Sequence, residues 1–414
     1  MKLRLLIIAS MCLSSSAYAG GYRVSAQGQQ ALGMGHTGVA VSQSAEAIFF
    51  NPGAISFLDS DTSLTAGVTP ISSNTKYQNG SVSTASETDN PPGTPLNFYI
   101  AKKMDQASSF SLGVYSPYGN TVEWPEDWAG SHLVNNIALH AIYVQPTVSL
   151  KVNDKIGLGF GPTYVSGSVD FNRNLSTSLV DENGDRANVT VNASGVDAWG
   201  FNVGLFIKPN KQLAFGVSYR SQVDLHARDE KADFENIPSS MQAQFTDTTF
   251  DADLVLPAEL TVGFSYDLGS TLIAVDVNRA YWSAYESLDL TFNNTVPESV
   301  NPRNYNDVNI YRIGVQQRVA SNVVARLGLY YDESPISGGF YTPETARNDS
   351  IGFTAGASYA VTSALDIEAS FLYLRFEEFH GSYDHFDQSG TTISFAGDYV
   401  SSATAFGLGV NYEY

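Results

Sequence analysis

The sequence predicts an all-β fold, a transmembrane antiparallel β-barrel of about fourteen strands with an N-terminal luminal hatch of short helices. Three observations carry this expectation. Segments of about ten residues with period-two alternation recur from Thr62 to Tyr414. The connections between them alternate between short and long. Residues 20–61 are Gly- and Ala-rich and lack the alternation.

The alternation is clearest at the C-terminus. Phe406, Leu408, Val410, Tyr412 and Tyr414 fall on one face and Ala405, Gly407, Gly409, Asn411 and Glu413 on the other. Similar strands are expected at 62–71, 94–103, 109–116, 141–151, 155–166, 197–208 and 211–224. They continue at 256–267, 270–280, 306–318, 321–332, 350–360, 364–375 and 403–414. Short turns at 152–155, 208–211, 267–270 and 361–363 alternate with long connections at 167–196, 225–255, 281–305 and 376–402. Bacterial barrels place tight turns in the periplasm, long loops outside, and use an even strand number.

A soluble β-sandwich also alternates, so two further features are needed. Aromatic residues sit on the apolar face near strand ends, at Trp199, Tyr219, Tyr266, Tyr311, Tyr359, Tyr373 and Tyr412, as interfacial girdles require. The opposite face carries charge in mid-strand at Asp276, Arg312 and Arg326, which a sandwich core would not accept unpaired.

Lys2 and Arg4, the apolar run 5–13 and the triplet Ala17-Tyr18-Ala19 read as a signal peptide spanning 1–19, with export from Gly20. Met11 before Cys12 is too bulky for lipoprotein processing, so Cys12 is expected to leave with the signal. The exported chain then has no disulfide, Cys-based zinc site or thiol nucleophile. It keeps 20 basic residues against 42 acidic ones, a net charge of −22, which argues against nucleic acid as a partner. No stretch after Gly20 approaches the ~20 apolar residues of a membrane helix, whereas barrel strands give only a weak hydropathy signal.

The domains expected are therefore the signal peptide 1–19, the hatch 20–61 and the barrel 62–414. In the hatch, Gly28, Gly33, Gly35 and Gly38 precede the stretch Ala45-Glu46-Ala47-Ile48-Phe49-Phe50 and then Asn51-Pro52-Gly53. A periplasmic tail is the alternative, but Ile48, Phe49, Phe50, Ile55, Phe57 and Leu58 would be poorly placed in water.

Gly20-Gly21-Tyr22, the run 33–40 and above all Phe50-Asn51-Pro52-Gly53-Ala54 resemble the hatch of the outer-membrane long-chain fatty acid transporter family, the FadL/TodX-type hydrophobic-compound porins. Further blocks follow in the family's order: 113–119 with Trp128-Ala129-Gly130, Tyr219-Arg220-Ser221, Leu256-Pro257-Ala258-Glu259 and 331–335. Gly53 departs from the alanine often found after Asn-Pro, and the loops diverge more. No cofactor is expected and the chain is expected to be a monomer; the resemblance implies a fourteen-stranded barrel with a hatch. It implies capture of a hydrophobic small molecule, a fatty acid or hydrocarbon, in a loop groove. Transfer to a luminal pocket and lateral escape past the hatch into outer-membrane lipid would follow. The other partners implied are lipopolysaccharide and, during insertion, the barrel-assembly machinery.

Candidate residues follow this route. Trp124, Trp128 and Leu133 in the loop 117–140 offer apolar surface for a first encounter, or else simply pack the loop or touch the outer leaflet. Pro117 lacks a ladder donor and should interrupt pairing at the end of the third strand. The resemblance implies that this strand kinks inward to form the lateral opening, which makes Gly113, Ser116, Pro117 and Gly119 candidates for it. Parity turns Arg220, Arg312 and Arg326 into the lumen, either to hold a carboxylate or to pair with acids such as Asp276 and Glu368 and hold the hatch. The resemblance makes Gly20, Gly21 and Tyr22 candidate gating residues, while Asn51 and Pro52 are expected to fix the hatch shape.

Two other classes compete. An outer-membrane lipid-modifying enzyme would need a nucleophile, yet His36, His132, His140, His226, His380 and His385 fall mostly in hatch and loops without a nucleophile elbow. A surface receptor or adhesin would use acidic loops such as 224–253. Asp181 to Asp185 resembles part of a calcium loop but lacks the distal Glu.

Overall fold

The computed structural model describes residues 21–80, 84–176, 179–386 and 392–414. The expected signal peptide and Gly20 lie outside the described residues. Fourteen strands form the wall. The first seven are β1 Thr62–Val68, β2 Leu96–Lys103, β3 Ser108–Glu123, β4 Asn136–Asn153, β5 Ile156–Asn174, β6 Asn188–Ile207 and β7 Leu213–Arg220. The others are β8 Glu259–Asp267, β9 Thr271–Ala280, β10 Val308–Ala320, β11 Val323–Asp332, β12 Ser350–Ala360, β13 Leu365–Phe376 and β14 Thr392–Glu413. Each pairs antiparallel with its sequence neighbour, and β1 pairs with β14 from Ser63↔Glu413 to Val68↔Leu408, which closes the barrel. Closure leaves no free end strand in the membrane, where a row of unpaired backbone groups would find no water.

The two faces divide as the alternation requires. Trp199, Tyr219, Tyr266, Tyr311, Tyr359, Tyr373 and Tyr412 are exposed on the outer wall, whereas Arg220, Asp276, Arg312, Arg326 and Glu368 are buried inside. No helix among the described residues is long and apolar enough to cross a membrane.

Several strands run further outward than the alternation indicates. β3 and β4 extend to Glu123 and from Asn136, so the expected loop 117–140 shrinks to residues 124–135. The acidic stretch 224–253 is mostly a hairpin, Val223–Glu235 with Thr248–Leu256. Val189, Val191, Phe234, Phe245, Phe250 and Phe292 pack a second apolar core beneath it. Beyond the membrane a strand has no lipid face to fill, so its pairing persists after its alternation fades.

The hatch contains two short helices, α1 Gln29–Gly33 and α2 Ala47–Phe50, and a 3₁₀ helix Pro52–Phe57. Helix α1 has no cap from its own Gly28; the buried carboxylate of Glu46 instead accepts from the Gln30 and Ala31 amides at 3.3 and 3.2 Å. Asn51 shapes the following turn. Its Oδ1 accepts from Gly53 N at 3.0 Å, and its Nδ2 donates to Val39 O at 2.7 Å and Leu205 O at 3.0 Å.

The wall is cut to receive this plug. A Cβ built on Gly216 of β7 would lie 1.9 Å from the Val39 oxygen, and one on Gly328 of β11 would lie 2.0 Å from the Gly35 nitrogen. Only glycine lets the hatch backbone approach the strands so closely. Polar wall residues then fasten it. Asp276 accepts from Gly38 N and Val39 N at 2.7 and 3.1 Å, and Glu368 accepts from Gln30 Nε2 at 2.6 Å.

Candidate ligand path through the barrel

The path is built around the third strand. Its ladder with β4 passes from Tyr115↔Tyr143 to Tyr118↔Ala141, so one extra residue is accommodated around Ser116-Pro117. On the other side its ladder with β2 stops at Asn97↔Tyr115. The next backbone bond across that seam among the described residues is Asp89 N to Glu123 O at 2.9 Å. Proline has no N–H to continue a ladder, and the wall is left with a seam beside residues 116–122.

The N-terminal segment stops this seam from inside. Val24 N donates to Pro117 O at 2.8 Å, Gly119 N donates to Tyr22 O at 3.0 Å, and Gln27 Nε2 donates to Ser116 O at 2.9 Å. Arg23 fixes the segment to the far wall, donating to Asn278 Oδ1 and Asp332 Oδ2 at 2.8 Å each, with Glu259 at 3.7 Å. Tyr22 is enclosed by Trp282, Tyr285 and Tyr118 with ring centroids 4.9, 5.7 and 6.1 Å away, and its hydroxyl donates to Val255 O. Gly21 is required beside this cage. Its φ is +53° and a Cβ there would lie 2.6 Å from the Trp282 ring.

Two cavities meet at this segment. The first, about 110 Å³, lies behind Tyr22 under the outer loops and is walled by apolar residues such as Leu133, Val169, Phe171, Phe250 and Leu254. Its polar end holds Arg173, Tyr383 and the ion pair of Arg303 with Glu344 at 2.6 Å. The second, about 300 Å³, lies at the seam, with Arg23, Val24 and Ser25 on its inner side and the half-exposed Leu96 and Ile142 on its outer side.

The sequence candidates fall unequally on this path. Leu133 lines the first cavity, and Ser116 and Gly119 line the second. Gly113 lies lower, against Tyr99 and Ile48 of the hatch, and Pro117 faces the hatch side of the seam. Trp124 and Trp128 offer no docking surface. They are buried, stacked at 4.1 Å, and donate to Pro343 O and Val134 O at 3.4 and 2.8 Å, so they pack the loop.

The three arginines are luminal, but their partners differ from those anticipated. Arg220 donates to Phe49 O at 2.9 Å and to the Tyr115 hydroxyl at 2.5 Å, with its guanidinium 4.4 Å from the Phe49 ring centroid. It holds α2 against β3. Arg326 donates to Ser358 Oγ and Gln316 Oε1 at 2.5 and 2.8 Å and reaches Glu368 only through Ser358. Arg312 sits opposite Asp276 in register, and no ion pair within 4.0 Å joins them among the described residues. A close luminal ion pair belongs instead to Arg23, with Asp332 at 2.8 Å, which parity of the strands cannot reveal because Arg23 lies in the hatch. A signal did exist, since its partners Glu259 and Asp332 stand in the blocks 256–259 and 331–335.

Asp181 takes the role of a hairpin tip, accepting from Asn183 N and Asp185 N at 2.8 and 2.9 Å. Those bonds hold its carboxyl below the usual range, and no metal-binding cluster occurs among the described residues.

A closed fourteen-stranded wall, a luminal plug and apolar cavities leading to a seam define the class of outer-membrane transport barrels. The comparisons give the particular family: residues 10–414 match the model of the outer membrane protein transport protein family (OMPP1/FadL/TodX), and the chain belongs to that family. Outer membrane protein P1 of Haemophilus influenzae is 21% identical, over 99% of this chain and 98% of its own. The long-chain fatty acid transport protein of Escherichia coli K12 is also 21% identical, with the same coverage. Among solved structures, a Pseudomonas aeruginosa FadL homologue superposes with a TM-score of 0.83 at 17% identity, covering 95% of this chain and 100% of that one. The Pseudomonas putida toluene transporter TodX gives 0.71 at 16% identity, covering 94% and 98%. The protein is an outer-membrane β-barrel of a family that transports hydrophobic compounds.

Proposed function

We propose that this protein takes a hydrophobic compound from the cell surface, holds it in the cavity behind Tyr22, and releases it sideways through the seam beside β3 when residues 21–25 withdraw. One observation carries the reading. The same short segment closes both cavities, with Tyr22 on the first and Arg23 to Ser25 on the second. A long-chain fatty acid is the favoured ligand, because the first cavity joins an apolar body to the polar end at Arg173 and Arg303. Uptake of an aromatic hydrocarbon is the second reading, supported by the rings of Tyr22, Phe171, Phe250 and Tyr285 around the same space.

A lock tests the route. Val24→Cys with Pro117→Cys, cross-linked in cells that lack their own fatty-acid uptake protein, should abolish uptake of labelled oleate, and reduction should restore it. Equal uptake in the locked and reduced states would sink the proposal. Repeating the measurement with labelled toluene separates the two ligand classes.

A further inference from the structure

We infer that the seam cavity is itself a binding site for a single-chain amphiphile with a carboxylate head, anchored by Arg347. The inference rests on the proposed lateral route and names the chemistry of a station on it.

Arg347 is the cation of the cavity without an acidic partner among the described residues. The charged side chains lining the cavity are Arg23, Asp332, Glu344 and Arg347. Asp332 is bonded by Arg23 at 2.8 Å, and Glu344 by Arg303 at 2.6 Å. Both acids are thereby matched to other cations. Arg347 donates to Asn120 Oδ1 at 2.8 Å and to Gly21 O at 3.3 Å, both neutral acceptors. Among the described residues no carboxylate lies within 4.0 Å of it. A guanidinium has five donors in a planar fork that matches a carboxylate, so Arg347 retains capacity for an anionic partner.

The rest of the cavity suits an alkyl chain. Leu372, Leu374 and Phe376 of β13 line its luminal side, and Leu96 and Ile142 line its outer side at 51% and 45% exposure, where the wall meets lipid. At about 300 Å³ the space stands at the lower end of small-molecule pockets. A head at Arg347 therefore leaves the tail pointing out through the seam, so the ligand can enter the bilayer tail first while its charge is still held. The contact of Arg347 with Gly21 O also sets the anchor beside the segment that closes the seam.

Thiol protection tests the site, because Cys12 is the sole cysteine of the sequence and lies in the expected signal. Leu374→Cys reports on the seam cavity and Leu254→Cys on the cavity behind Tyr22. In detergent-purified full-length protein, sodium laurate should slow modification of L374C by a neutral thiol reagent. Adding Arg347→Gln should weaken that protection about tenfold in laurate concentration while leaving protection by methyl laurate unchanged. Arg347→Lys should restore the preference for laurate in large part. Equal weakening for acid and ester, or no weakening, overturns the anchor. If laurate protects L254C but not L374C, the seam site falls while the proposed route stands; if it protects neither, both fall.

Discussion

Replacing Gly216 by alanine should unseat the hatch without opening the barrel. The new Cβ would lie 1.9 Å from the Val39 oxygen, and ordinary contact begins near 3.4 Å, so the hatch backbone at Val39 must retreat by roughly 1.5 Å. The wall cannot yield instead, because β7 is laddered to β6 and β8 on both sides. A retreat of that size stretches the Asn51 Nδ2 bond to Val39 O, now 2.7 Å, beyond hydrogen-bond range. The Asp276 bonds to Gly38 and Val39, now 2.7 and 3.1 Å, lengthen with it. Losing one neutral and one or two charge-assisted bonds in a buried site costs about 3–6 kcal/mol, all of it local to the plug. The assay is protease sensitivity of the hatch in detergent-purified protein, alongside the gel shift that reports a closed barrel. G216A should keep the shift and lose the protection. Gly338→Ala is the control, since nothing lies within 4 Å of a Cβ there. Full hatch protection in G216A would refute the close-approach argument.

Three other outcomes are expected. Trp128→Ala removes a stacked, hydrogen-bonded ring and should lower stability by about 3–5 kcal/mol, read as a drop in melting temperature, without changing ligand affinity. Glu344→Ala leaves the Arg303 guanidinium buried without its partner and should cost about 3–5 kcal/mol, measured by chemical denaturation in micelles, whereas a surface ion pair such as Lys76–Glu87 should cost under about 1 kcal/mol. Asp349 lies in the outer loop before β12, where burial pushes its carboxyl up to about 8. A carboxyl raised in the folded state favours the fold below its unfolded value near 3.8 and loses that contribution as pH rises towards 8. Melting temperature should therefore fall between pH 4 and 8 more steeply in the parent than in Asp349→Asn, and parallel curves would contradict the assignment.

Much of the barrel was legible because lipid imposes a two-residue period. Phe406, Leu408, Val410 and Tyr412 had to face one way, and Arg220, Asp276 and Arg312 the other. What the lipid does not touch was harder to read. The outer halves of β3 to β6 pair above the membrane, where either face is free to be polar, and the pattern around Trp124 and Trp128 left open whether their rings dock a ligand or pack the loop. The seam was announced by Pro117, whose missing donor is a local fact. Its closure was not, because Arg23 reaches Asp332 across 309 positions of sequence and Arg347 meets Gly21 across 326. No local pattern records such pairs. Only the ordered blocks around Glu259 and Asp332 hinted that those acids had a fixed partner.

The fit between glycines and plug also bears on how the molecule is made. With hatch backbone lying where Cβ atoms would otherwise stand, the plug has no clearance along the wall, and it cannot be slid into a finished cylinder or drawn from it as a block. The hatch precedes β1 in the chain, and the β1–β14 ladder needs the last strand to close. The wall is therefore expected to close around a core already in place, as a mould around a casting. A hatch exchanged between relatives should assemble only when the luminal glycines that match it are exchanged as well.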